Sequence, residues 1–152
     1  MTVTRLVAAC TFAITSLACS GGGITGPPPG LPHAAARPGC GPADGPAIQI
    51  VLASEPVGTS EPTTPYVSIH IWESLAQLSD RVFFVAGDNS AGGASYRASP
   101  TEFELATGGR VRITSVSADN TIEGLANLTF QGGRRVRGSF RAAWIHATPL
   151  CI

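Results

Sequence analysis

The chain contains no lysine: all ten of its basic residues are arginine, and ten acidic residues balance them to a net charge of zero. Only 13% of its residues are charged, too few for a coiled coil or a charge-rich disordered protein. Because no excess of positive charge is present, we expect no nucleic-acid partner. The length of 152 residues suits one domain.

Side chains for acid–base or nucleophilic chemistry are also scarce. Three histidines occur, and His33 lies in a Gly/Pro-rich stretch, which leaves His70 and His146 as general bases. Ser95 lacks the second glycine of a nucleophile elbow, because Arg97 stands there. His70 and Glu73 have a helical metal-ligand spacing, but on a strand they would point to opposite faces. The Asp88-Asn89-Ser90 loop lacks the glycine and glutamate of an EF-hand. We expect no enzyme activity, no metal and no cofactor, with a small hydrolase based on His70 or His146 as the remaining catalytic hypothesis.

The first 18 residues have the pattern of an export signal. Arg5 supplies the positive charge, and an uncharged, mostly apolar run follows from Leu6 to Ala18. These 13 residues are fewer than the roughly 20 that a transmembrane helix needs. The pattern therefore predicts a signal peptide over residues 1–18.

Ser16-Leu17-Ala18-Cys19, followed by a serine and three glycines, resembles the lipobox of bacterial lipoproteins. In that family the cysteine is acylated and becomes the new N-terminus. The resemblance implies a lipid anchor at Cys19 and a place in the cell envelope, at the outer membrane where the host has one. The alternative is ordinary cleavage near Ala18, which yields a secreted or periplasmic protein.

Residues 19–39 are rich in Gly and Pro and predict a flexible tether, which leaves a domain over residues 40–152. That domain contains two cysteines, Cys40 and Cys151, near its two ends. In an oxidising compartment such a pair predicts a disulfide. In the chain-entropy model, a disulfide that closes a loop of about 110 residues stabilises the fold by about 4.7 kcal/mol.

Apolar residues of the domain mostly alternate with a period of two, which predicts strands. We expect an all-β fold, a small antiparallel sandwich or partly open barrel of seven or eight strands with one short helical turn over Ser74–Asp80. Gly108-Gly109 predicts a hairpin turn between two strands. Six strands are expected before the last hairpin, at 47–53, 66–73, 81–86, 94–98, 103–107 and 110–117.

The last hairpin, over residues 121–145, has the clearest pattern. Ile122, Leu128 and Phe130 share one face of its first strand, and Val136, Phe140 and Trp144 share one face of its second. A three-residue loop at 132–134 would pair Phe130 with Val136 and Ala126 with Phe140. Gly138-Ser139-Phe140-Arg141-Ala142 with a terminal cysteine is loosely similar to small all-β domains of uncharacterised bacterial lipoproteins.

Two groups of residues are candidates for binding. The first is an arginine face for phosphate or carboxylate groups, whose alternative interpretation is a solvated sheet surface. The second is an aromatic row for stacking on sugar rings, whose alternative is a central strand buried on both faces with Trp72 in the core. The arginine face comprises Arg110, Arg112, Arg135, Arg137 and Arg141, and the aromatic row comprises Tyr66, His70 and Trp72.

These features predict a non-enzymatic envelope lipoprotein, attached to the membrane at Cys19, that acts as an interaction or accessory subunit of a surface assembly. The alternative is a carbohydrate- or glycolipid-binding module. The expected partner is accordingly another protein or a surface glycan.

Overall fold

A computed structural model describes residues 26–149 as an all-β domain of eight strands. Two short 3₁₀ turns, Pro42–Asp44 and Leu75–Gln77, complete its regular structure. The strands are β1 His33–Cys40, β2 Pro46–Ala53, β3 Tyr66–Ile71, β4 Arg81–Phe84, β5 Gly92–Arg97, β6 Phe103–Val116, β7 Ile122–Phe130 and β8 Arg135–Trp144.

Seven of these strands close into a barrel, in the order β6-β5-β3-β2-β1-β8-β7 and back to β6. The eighth, β4, pairs with β6 beyond the end of β5. All pairings are antiparallel except β1–β8, which is parallel through Ala35–Ala143 and Ala36–Trp144. The all-β expectation is confirmed, whereas the sandwich alternative and the open barrel are wrong, because the β1–β8 and β6–β7 pairings leave no gap between the seven strands.

The barrel interior is filled by apolar side chains from alternate positions of every strand. Ile48, Ile50 and Leu52 of β2 face inward, for example, and Gln49 lies on the other face. A barrel of about eight strands is just wide enough to be filled by side chains in this way. The short helical turn also contributes, since Leu78 at its C-terminal end is fully buried.

The expected tether is wrong over residues 33–39, because these residues form β1. The small side chains of Ala35 and Ala36 are buried between β2 and β8. Pro38 lies beyond the two residues that pair with β8, where its missing N–H interrupts no β1–β8 hydrogen bond. A stretch whose Gly/Pro-rich composition predicts a tether therefore includes a strand of the barrel.

The hairpin expected at Gly108-Gly109 is also wrong. β6 runs through both glycines as one 14-residue strand. The register with β7 shifts between Ala106 and Gly108, which leaves Thr107 as the extra residue of a β-bulge directly before the glycines. Gly109 has φ of 143°, and a Cβ atom there would lie 2.6 Å from the carbonyl oxygen of Asn127. The paired glycines thus lie within a continuous strand, next to a bulge, and do not form a turn.

The last hairpin forms with the predicted faces but a different register. Val136 pairs with Leu128, not with Phe130, and Phe140 pairs with Gly124, not with Ala126. A shift of two residues keeps every inward side chain inward. Phe140 fits opposite Gly124 because a Cβ atom on this glycine would lie 2.7 Å from the Cζ atom of Phe140.

Cys40 ends β1, while Cys10, Cys19 and Cys151 lie outside the described residues. Cys40 lines the same surface cavity as Ala147 and Pro149, which brings the end of the described chain, two residues before position 151, close to Cys40. The Cys40–Cys151 disulfide stays a prediction. Over residues 26–149, no helix has the length and apolarity to cross a membrane.

We expect Gly124→Ala to destabilise the fold by about 1–3 kcal/mol, the usual cost of overpacking. The added methyl group would approach Phe140 and the Arg112 carbonyl oxygen, which a Cβ atom would meet at 2.5 Å. Gly93→Ala is the matched control in another strand, where a Cβ atom meets nothing within 4 Å. Its effect should stay within about 0.5 kcal/mol. Urea unfolding measures both, and equal values would contradict the observed packing.

Candidate functional site

A polar cavity of about 370 Å³ lies on the outside of the barrel, against strands β1, β2, β3 and β5. We call it the exterior pocket. Its volume lies within the range of small-ligand pockets. It is lined by Arg37, Gln49, Glu61, Pro62, Tyr66, Ser68, His70, Ser95 and Arg97.

A chain of hydrogen bonds crosses the floor of the exterior pocket. Arg37 Nε donates to Gln49 Oε1 at 2.7 Å, and Gln49 Nε2 donates to Ser68 Oγ at 2.7 Å. Ser68 Oγ lies 3.1 Å from His70 Nε2. The strand register sets this order, because Gln49 pairs with Arg37 on one side and with His70 on the other. The network fixes these polar side chains in place.

His70 is held neutral in this network. Burial lowers the pKa of its imidazole below the ordinary value of 6.5, and the nearby Arg37 guanidinium lowers it further. Since the Ser68 hydroxyl already accepts from Gln49, it donates to His70 Nε2 when the imidazole carries its proton on Nδ1. At neutral pH the pocket therefore contains an uncharged imidazole.

Tyr66 is a buried residue of the pocket lining whose hydroxyl group has a hydrogen-bond partner. The residue is only 5% exposed, and its hydroxyl donates to Glu61 Oε1 at 2.9 Å. Burial, followed by the hydrogen bond to Glu61, raises the pKa of this phenol. Arg97 and Arg37 oppose that rise, so both guanidinium groups lie within electrostatic reach of the same hydroxyl.

The predicted aromatic row does not form one stacking platform. Tyr66 and His70 share the outer face of β3 and both line the exterior pocket. Trp72 follows the end of β3 and is 38% exposed, outside the pocket lining and outside the core. The alternative interpretation is correct that this strand is buried on both faces. It is wrong in placing Trp72 in the core, because β3 ends at Ile71.

The predicted arginine face forms on the outside of β6, β7 and β8. Arg110 and Arg137 flank Asn127 in one row across the three strands, which separates their Cα atoms by two strand spacings, roughly 10 Å. With Arg112 they line a cavity of about 240 Å³ that also contacts Leu125 and Val82. We call this cavity the arginine cleft.

The other arginines of this region have different surroundings. Arg141 forms an ion pair with Glu123 and lies outside the cleft lining. Arg135 pairs with Thr129, in the next outward-facing row beyond Arg137, and is exposed. Arg112 has one acidic neighbour, Asp80 at 3.8 Å, and both side chains are exposed, so this pair is worth little. The positive potential of the face is therefore centred on the cleft.

Exposed apolar side chains border the arginine cleft. Val82 and Phe84 of β4 pair with Arg112 and Arg110, and their exposed fractions are 47% and 57%. Arginine and aromatic residues are enriched in the cores of protein–protein interfaces. The combination of a cleft with an excess of arginine and an apolar border is typical of a contact surface.

Sequence reasoning missed most of the exterior pocket. Arg37 lies in the stretch interpreted as a tether, and Glu61 lies in the long loop between β2 and β3, which has no pattern. Arg97 appeared only as a departure from a catalytic motif. The alternation of Gln49 and Ser68 with buried apolar residues was the one local signal for an outward polar face.

The Ser68–His70 pair has the spacing of a nucleophile and its base, but its surroundings favour binding. Ser68 is only 6% exposed, and among residues 26–149 no carboxylate forms a hydrogen bond with the imidazole. Activation of a serine ordinarily needs a third group that orients the base. The same residues include no group of three or more His, Cys, Asp and Glu side chains placed to bind a metal ion.

We find no protein-family model, no curated protein and no solved structure that matches this chain.

When the pH is lowered, the unfolding free energy should fall less in His70→Gln than in the parent protein. Because the folded pKa of His70 lies below 6.5, the unfolded chain binds more protons between the two pKa values, and the unfolding free energy falls as the pH falls through that window. Removing the imidazole removes this contribution. Urea unfolding at pH 7.5 and pH 5.5 measures the difference.

The control for this measurement is His146→Gln, which makes the same substitution at an exposed histidine. An unchanged pH dependence in His70→Gln would mean that burial in the exterior pocket does not disfavour the charged imidazole.

Proposed function

We propose that the chain is a non-enzymatic subunit of the bacterial cell envelope, anchored by a lipid at Cys19, that binds the acidic surface of a partner protein through the arginine cleft. The single observation that supports this most is the convergence of Arg110, Arg112 and Arg137 on one cavity beside exposed Val82 and Phe84. Guanidinium groups bind carboxylates with defined geometry.

The position of the cleft on rigid strands supports the proposal further. Arg110, Arg112 and Arg137 project from long, paired strands whose inward neighbours Val111 and Val136 are buried. Little backbone ordering is then needed when a partner binds, which favours affinity. Asn127, between Arg110 and Arg137, adds a neutral amide for hydrogen bonds.

Photo-crosslinking in the source cells tests the partner. With p-benzoylphenylalanine in place of Phe84, we expect one discrete protein adduct, identified by mass spectrometry. Arg110→Gln with Arg137→Gln should reduce its yield about tenfold or more, because a hydrogen bond between charged groups is worth about 1.5–3 kcal/mol.

The matched control is Arg81→Gln with Arg141→Gln, which removes the same charge from arginines paired with Glu73 and Glu123. This variant should retain the adduct. Equal loss in both variants would contradict a specific cleft. Cleft-dependent binding to phosphatidylglycerol vesicles without a protein adduct would instead assign the arginines to lipid headgroups and overturn the proposal.

The lipid anchor has its own test. In a bacterial host the parent protein should partition into the Triton X-114 detergent phase and have an intact mass that includes acyl chains beginning at Cys19, because several chains are needed for firm anchoring. Cys19→Ala should move the protein to the aqueous phase, and Cys10→Ala should leave it anchored. An unacylated parent cut near Ala18 would contradict the anchor.

A further inference from the structure

The charges around the exterior pocket do not cancel. Arg37 and Arg97 contribute two positive charges, Glu61 contributes one negative charge, and His70 is neutral at pH 7. Neither arginine has a carboxylate oxygen within 4 Å among residues 26–149. The sum of one positive charge is complementary to a monoanion.

The guanidinium groups of Arg37 and Arg97 are oriented by hydrogen bonds but still have unused donors. Arg37 Nη1 lies 3.4 Å from the Thr59 carbonyl oxygen, and Arg97 Nη1 lies 3.3 Å from the Pro100 carbonyl oxygen. The Nη2 group of each makes no hydrogen bond within the described part of the chain. A guanidinium fork held in place by such contacts has less entropy to lose when it binds a carboxylate.

The remaining lining offers neutral hydrogen-bonding groups. Ser68, His70 and Gln49 form the floor, and Tyr66 adds a phenolic hydroxyl. Glu61 is exposed at the rim and accepts from Tyr66 through Oε1 only, so its other oxygen has capacity to accept from a ligand hydroxyl. A ligand with several hydroxyl groups satisfies this lining better than an apolar one.

We propose that the exterior pocket binds a sugar carboxylate, a small hydroxylated monoanion. Its carboxylate pairs with the guanidinium of Arg97, while Arg37 adds positive potential and holds the polar floor. Its hydroxyl groups bond to Glu61 at the rim and to the Ser68–His70 floor. This site lies on β1, β2, β3 and β5, whereas the arginine cleft lies on β4, β6, β7 and β8, so it stands independently of the proposed partner surface.

Isothermal titration of the full chain in mild detergent tests the site with four named probes: D-glucuronate, D-galacturonate, D-glucose and D-glucose 6-phosphate. We expect saturable binding of at least one uronate with a dissociation constant on the order of 1 mM. D-Glucose should bind about tenfold more weakly or not at all, because it leaves the Arg97 charge unpaired.

Three variants connect the binding to named residues. Arg97→Gln should weaken uronate binding about tenfold or more. Glu61→Gln should strengthen it, because this exposed substitution removes the only carboxylate of the pocket lining and keeps a hydrogen-bonding side chain. The combined Arg110→Gln and Arg137→Gln variant should bind uronate as the parent does, which separates this site from the arginine cleft.

The opposite directions for Arg97 and Glu61 keep the test independent of misfolding, since a damaged fold cannot bind more tightly. Absence of saturable binding by both uronates overturns the proposal, as does binding that Arg97→Gln leaves unchanged. Equal binding of D-glucose would remove the role of charge. Tighter binding of D-glucose 6-phosphate than of either uronate would overturn the carboxylate assignment.

Discussion

The barrel depends on β6, where a β-bulge between Ala106 and Gly108 is followed at once by Gly109. Upstream of the bulge one edge of β6 pairs with β5, and downstream the same edge pairs with β4, while the other edge pairs with β7 from Ala106 to Val116. A bulge bends a strand and increases its local twist, which helps β6 to follow three neighbours. Any side chain at Gly109 would collide with the backbone of β7, so the absence of a Cβ atom at this position is a condition for closure.

Closure of the barrel leaves the outer surface as the place for the proposed binding sites. A barrel of about this size is just wide enough for side chains to fill its interior, and here aliphatic and aromatic residues do so. Every strand still has a second face, and on that face the period of two places the polar residues. The same alternation that buries Val67 and Ile69 presents Tyr66, Ser68 and His70 to the outside. Both proposed binding sites accordingly lie on the outer surface.

Local periodicity explains how far the sequence is predictive. Faces depend only on alternation along one strand, so the inward residues of the last hairpin and the outward arginines could be predicted correctly. Register depends on how Phe140 packs across strands, and the two-residue shift that seats it against Gly124 has no local signal. The exterior pocket was hidden for a similar reason. Arg37 and Arg97 are 60 positions apart, and only the order of the strands brings their side chains to one cavity.

The distribution of arginines connects the two sites. Nine of the ten arginines lie within residues 26–149, and four of them, Arg81, Arg112, Arg134 and Arg141, have a carboxylate oxygen within 4 Å. The other five do not: Arg37 and Arg97 line the exterior pocket, Arg110 and Arg137 line the arginine cleft, and Arg135 lies in the outward row next to it. The chain has as many acidic as basic residues, so acidic partners for these five arginines exist in the sequence. Without an ion pair, the five arginines do not contribute the Coulomb attraction that such pairs would give. Exposed pairs are worth only about 0–1 kcal/mol, so the missing ion pairs lower the stability of the fold little and leave guanidinium groups accessible at the two proposed sites.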